Sequence, residues 1–217
     1  IDDIMNRLVV SDDWMAKRFQ EMLTHSNMPK TMLPLFQSVR AIVISAEIRP
    51  AFFSPYSGAI YLDPNYLWLT NAEKDTINKD DDYRGEFVKK FEFLSLQRFV
   101  YNNTQAFPAG SLYDKTERSL GATIPMLASL LFHELAHARD TYHNSFLDTL
   151  TPSDERLSEI FENRKIKVIN EQIFVETFKL TNKTMFALSQ SLFKGTEPSA
   201  ELKALTASDV GTMLEGE

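Results

Sequence analysis

Apolar residues over the first forty positions, Ile4, Leu8, Trp14, Met15, Phe19, Met22 and Leu23, recur near helical spacing and predict helix. Pro29 and Pro34 punctuate that region. The pattern then changes. Ala41-Ile42-Val43-Ile44-Ser45-Ala46-Glu47-Ile48 is short and β-branched and predicts a strand. Pro50, Pro55 and Gly58 mark a loop, and Ala59-Ile60-Tyr61-Leu62 reads as a second strand ending at Asp63-Pro64. Between Arg84 and Tyr101, the positions Phe87, Phe91, Leu94, Phe99 and Val100 predict an amphipathic helix with its aromatic residues in a core. Another helix is expected from Thr123 as cap, with Pro125 in the first turn and no breaker through Asp140. A last helical stretch starts near Ser153, is clearest from Ile166 to Phe193, and is closed by Gly195 and Pro198. These elements define an α+β class, predominantly helical. One domain is expected, with the strands in residues 1–122 and a helical part in 123–217.

Composition narrows the chemistry. The 217 residues are 43% apolar and 24% charged, as in folded globular proteins, and no apolar run is long enough for a transmembrane segment. Twenty-three basic against thirty acidic side chains give a net charge of −7, which argues against nucleic acid as a partner. The run Asp80-Asp81-Asp82 lacks the Gly and Glu offsets of an EF-hand and reads as a solvated loop. There is no cysteine, which excludes disulfides, thiolate zinc sites, cysteine nucleophiles and iron–sulfur clusters. Of four histidines, three fall within eleven residues: His133, His137 and His143. His25 stands apart in a polar segment and reads as a surface residue.

Phe132-His133-Glu134-Leu135-Ala136-His137 carries H-E-x-x-H inside an expected helix. Residues four apart lie one turn apart on one face, so both imidazoles can reach a single Zn²⁺. Glu134 follows the first of them and can serve as general base without binding the metal. On this helix the sequence resembles the zincin superfamily of zinc metallopeptidases. The resemblance implies a zincin-like fold in which a small mixed sheet lies over the H-E-x-x-H helix. It also implies that an edge strand aligns a peptide or protein substrate, a role open to Ala41–Ile48 or Ala59–Leu62. His133 and His137 would then be metal ligands, Zn²⁺ the cofactor and Glu134 the catalytic residue.

A catalytic zinc normally has three protein ligands and one open position. Glu171, in Asn170-Glu171, resembles the downstream pattern that supplies the third ligand in gluzincins. With Phe174, Val175 and Phe178 at i+3, i+4 and i+7, it borders an apolar face, where a carboxylate is costly unless paired or metal-bound. His143 is the alternative, at a spacing similar to that of metzincins, although Asp140 stands where that pattern has glycine. A residue beyond Glu217 is the third option, since the C-terminus closes without a clear element. Gluzincin-like is therefore ranked ahead of metzincin-like. The resemblance to zincins also implies a tyrosine that stabilises the oxyanion, for which Tyr61, Tyr113 and Tyr142 are available.

The leading function is hydrolysis of peptide bonds by zinc-activated water. A zincin-like metal-binding protein without peptidase activity and a metal-free helical interaction domain are the alternatives. The chain opens at Ile1, which would suit removal of a leader and favours a secreted or periplasmic location.

Overall fold

A computed structural model describes residues 1–83, 85–91, 98–101, 105–108, 112–143 and 183–205. The fold is α+β, built around a small mixed four-stranded sheet. Its strands are β1 (Leu8–Val10), β2 (Ala41–Ile44), β3 (Phe52–Ser54) and β4 (Ala59–Leu62), in the order β1-β2-β4-β3. β1 and β2 are parallel, as are β2 and β4, while β3 runs antiparallel to β4. The strands expected at Ala41 and Ala59 are therefore the two inner strands, and the edge beside β4 belongs to β3. The first strand also stops at Ile44, short of Ile48.

The register divides the sheet into two faces, because residues paired across strands project to the same side. Leu8, Ile42, Ile60 and Phe53 form one row, and these residues belong to the main core or pack against it. Val9, Val43, Tyr61 and Phe52 form the next row on the opposite face, where Val9 and Phe52 are exposed.

Helices cover the inner face. α1 (Asp2–Met5) is a single turn, and α2 (Asp13–Thr24) buries Met15, Phe19, Met22 and Leu23 at i, i+4, i+7 and i+8. Lys30–Ser38 is a 3₁₀ helix containing Pro34, and it sets Met32 and Phe36 in the same core. The N-terminal region expected to be helical thus contains a strand at Leu8–Val10. Its apolar residues, of which Val9 and Val10 are β-branched, gain a parallel partner in β2, which helical spacing alone does not reveal. A 3₁₀ turn (Pro64–Tyr66) and the capped helix α3 (Asn71–Lys74) follow the sheet.

The helix expected across Arg84–Tyr101 is interrupted. Among the described residues there, only α4 (Gly85–Val88) is helical, and Arg98–Tyr101 is strand β5, antiparallel to β6 (Gln105–Pro108). The long helix α5 spans Leu120–Thr141. It starts earlier than expected: Ser119 caps it by accepting from the Ala122 N–H, Pro125 lies inside it, and Thr123 Oγ1 donates to the Leu120 carbonyl. Ile124, Leu127, Leu131, Leu135 and Ala138 bring its buried face into the core that contains Ile42, Ile44, Ile60 and Leu62.

The chain forms two compact units, Ile1–Lys79 with Arg98–Ile169, and Asp80–Gln97 with Asn170–Glu217. In the second, α6 (Lys183–Lys194) and α7 (Ala200–Lys203) contribute Leu188 and Leu202 to a small core with Phe91. α6 ends at Gly195, as its sequence indicates. That residue has φ +70°, and a Cβ there would lie 2.8 Å from the Phe87 ring. The helical stretch expected between Ser153 and Thr181 lies outside the described residues.

Candidate metal centre

The H-E-x-x-H residues lie within the last three turns of α5. His133 and His137 are exposed, and their rings meet edge to face with centroids 4.7 Å apart. Their Nε2 atoms are 3.1 Å apart. Two nitrogens bound to one zinc at about 2.0–2.1 Å, at a tetrahedral angle, would lie about 3.4 Å apart. The contact is a hydrogen bond between the two rings, at a separation close to that of two ligands on one ion. Partial desolvation first, and then the nearby His133, lower the proton affinity of His137, while Asp140 works in the opposite direction. The net effect favours the neutral imidazole, the form that binds metal.

Glu134 is only 3% exposed although the histidines on either side of it in the motif are open. It shares the inward side of the helix with Leu127, Leu131 and Ala138. A carboxylate in such a place needs an interaction that offsets its desolvation.

Both ends of α5 are anchored. At the N-terminal end, Arg118 donates through Nε to the Trp68 carbonyl (2.9 Å) and through Nη2 to the Asn65 carbonyl (2.8 Å). Its guanidinium lies 3.5 Å over the Trp68 ring, with Lys74 Nζ 5.4 Å from that ring. Burial lowers the Arg118 pKa to about 10, which still leaves it charged at neutral pH.

At the C-terminal end, Thr141 Oγ1 donates to the His137 carbonyl and the Tyr142 N–H to the Ala138 carbonyl. Ser38 Oγ donates to the Tyr142 carbonyl at 2.7 Å. The Tyr142 hydroxyl in turn donates to the Pro55 carbonyl, just beyond β3. Its ring also meets Phe53 of β3 edge to face, with centroids 6.3 Å apart. One buried tyrosine therefore links the histidine-bearing helix to the sheet edge. Sequence reasoning named Tyr142 only as an oxyanion candidate. Burial raises its pKa to about 12, and its hydroxyl is directed at a backbone carbonyl.

The other tyrosine candidates are differently disposed. Tyr113 is 70% exposed and donates to the Lys79 carbonyl. Tyr61 stacks on Phe52 and reaches Ser57 Oγ at 3.4 Å. His25 accepts from the Asn27 N–H at the end of α2.

Among the described residues, no three or more His, Cys, Asp or Glu side chains form a group able to hold a metal ion. His143 is half-buried just past the end of α5 and does not complete such a group with the histidine pair. The helix runs through Asp140 to Thr141, so no turn occurs at Asp140. Glu171 lies outside the described residues. No helix among the described residues is long and apolar enough to cross a membrane.

Comparison with protein-family models, curated proteins and solved structures yields no match for the chain.

Proposed function

We propose that this chain is a zinc-dependent metallopeptidase of zincin-like, and more specifically gluzincin-like, architecture. The observation that carries the reading is the convergence of the His133 and His137 Nε2 atoms on an open helix face, with the buried Glu134 between them in sequence. The antiparallel edge strand β3, joined through Tyr142 to the same helix, adds support.

In this reading His133 and His137 hold the zinc. Glu171, the candidate that the sequence ranks first, is the proposed third ligand. When bound, the metal lowers the pKa of a water and polarises the scissile carbonyl. Glu134 accepts the proton from the attacking water and returns it to the leaving amine. An extended peptide adds to the outer side of β3, where main-chain hydrogen bonds hold it in line. The partner is therefore a peptide or protein substrate.

The test compares zinc-loaded wild type with Glu134→Gln on a mixed peptide pool. The reading predicts chelator-sensitive cleavage by wild type and at least a hundredfold loss in the variant, with zinc retained. Equal cleavage by both would refute the assignment of Glu134. Stoichiometric zinc without any cleavage would favour a zincin-like protein that binds metal but does not turn over peptide. No zinc at all would favour a metal-free interaction domain.

A further inference from the structure

His137 sits one turn from the end of its helix. α5 closes at Thr141, four residues beyond His137, whereas His133 lies a further turn inside. Terminal turns are where helices fray, because their last carbonyls have no intrahelical partner and little free energy opposes opening. In α5 that turn is tied down at three points. Thr141 Oγ1 donates to the His137 carbonyl at 2.9 Å. Ser38 Oγ, on a residue only 5% exposed, donates to the Tyr142 carbonyl at 2.7 Å. The Tyr142 hydroxyl donates to the Pro55 carbonyl.

Two of these ties come from distant segments. Ser38 ends the 3₁₀ helix and holds the main chain of Tyr142, while Pro55 follows β3 and holds its side chain. An ion shared by two imidazoles tolerates only about 0.2 Å of error in each ligand distance. Unwinding of the last turn would displace His137 and leave His133 in place. The apparent dissociation constant is the intrinsic one divided by the fraction of molecules in which both rings are in register.

We infer that Tyr142 and Ser38 are positioning residues for the metal: by clamping the last turn of α5 they keep His137 in register with His133 and so set the affinity for zinc. Both act through the helix backbone and neither binds the ion. The inference rests on the proposed metal centre, because it takes the histidine pair to hold zinc.

The experiment measures the zinc dissociation constant of wild type, Tyr142→Phe, Ser38→Ala and the double variant by competition with a chromophoric chelator. All are assayed well below their melting temperatures. Glu73→Gln is the control for lowered stability alone, since Glu73 contacts Leu69, Thr70 and Arg18, away from the end of α5. A hydrogen bond of ordinary net strength corresponds to about a fivefold factor. Each single variant should therefore bind zinc about two- to fivefold more weakly, and the double variant up to about twentyfold more weakly, while Glu73→Gln binds as wild type does. Linkage adds a reciprocal effect: zinc should slow hydrogen exchange at the Thr141 and Tyr142 amides more in the variants than in wild type. A purely structural role would lower stability and leave both readouts of the folded protein unmoved. Wild-type affinity in both single variants, or equal weakening in Glu73→Gln, would overturn the positioning role alone. Absence of stoichiometric zinc in the wild-type protein would overturn the metal centre and the positioning role with it.

Discussion

Tyr142→Phe removes one oxygen atom from a side chain that is 1% exposed, leaving the ring against Phe53 in place. The lost hydroxyl donates to the Pro55 carbonyl, so the change deletes one partner of a hydrogen bond and keeps the other. A net hydrogen bond contributes about 1 kcal/mol, and leaving its acceptor poorly solvated raises the cost to about 2 kcal/mol. For a chain of this size each kcal/mol corresponds to about 2–4 °C, so the melting temperature should fall by about 2–8 °C. Tyr142→Ala also removes the ring from between α5 and β3, and comparable aromatic truncations cost about 3–5 kcal/mol. Thermal unfolding followed by circular dichroism should therefore order the proteins as wild type, Tyr142→Phe, then Tyr142→Ala. A Tyr142→Phe protein that melts with wild type, or a Tyr142→Ala protein no worse than it, would refute the role of Tyr142 as a strut between helix and edge strand.

The other predictions concern charge, metal and backbone. Desolvation raises the Glu73 pKa, but the Leu69 and Thr70 N–H groups and Arg18 outweigh it and hold the pKa below its ordinary 4.5. The folded state therefore binds that proton less readily than the unfolded chain. The associated stability is present above pH 4.5 and is lost as pH falls through the lowered folded value. Glu73→Gln should accordingly be less stable than wild type at pH 7, and the gap should narrow on acidification in parallel urea titrations. A gap that is constant with pH would contradict this. Zinc at a hundred times its dissociation constant should stabilise the protein by about 2.7 kcal/mol, a melting shift of about 5–10 °C. That shift should weaken on acidification as protons compete for the His137 imidazole, whose lowered proton affinity extends binding toward acid. A shift that grows on acidification would be inconsistent with histidine ligands. Gly195→Ala forces a side chain into a positive-φ position and against the Phe87 ring, so it should destabilise by about 1–2 kcal/mol or more in denaturant titration. An unchanged midpoint would rule out that constraint.

The parts of this architecture legible in the sequence are those encoded locally. β4 and the body of the motif helix follow from period and composition, although the cap is Ser119 and not Thr123, and the His133–His137 pairing follows from helical geometry alone. The short strands β1 and β3 carry only three residues each, too few for alternation to stand out. Their identity depends on partners in β2 and β4. The strand Arg98–Tyr101 likewise takes its conformation from pairing with Gln105–Pro108, and it overrode an apolar spacing that suited a helix. The anchors of α5 were invisible for the same reason: Ser38 and Pro55 are 104 and 87 residues away from Tyr142 in sequence. The missing glycine at Asp140 was legible, and the helix does continue through that position.

The most direct test of the central claim is a zinc titration of chelator-stripped protein, with bound metal counted per chain by elemental analysis. The account predicts one zinc per wild-type chain, one in Glu134→Gln, and loss of stoichiometric binding in His133→Ala and in His137→Ala. Wild-type protein that takes up no stoichiometric zinc, or histidine variants that bind it as wild type does, would contradict the metal centre on which the proposed function stands.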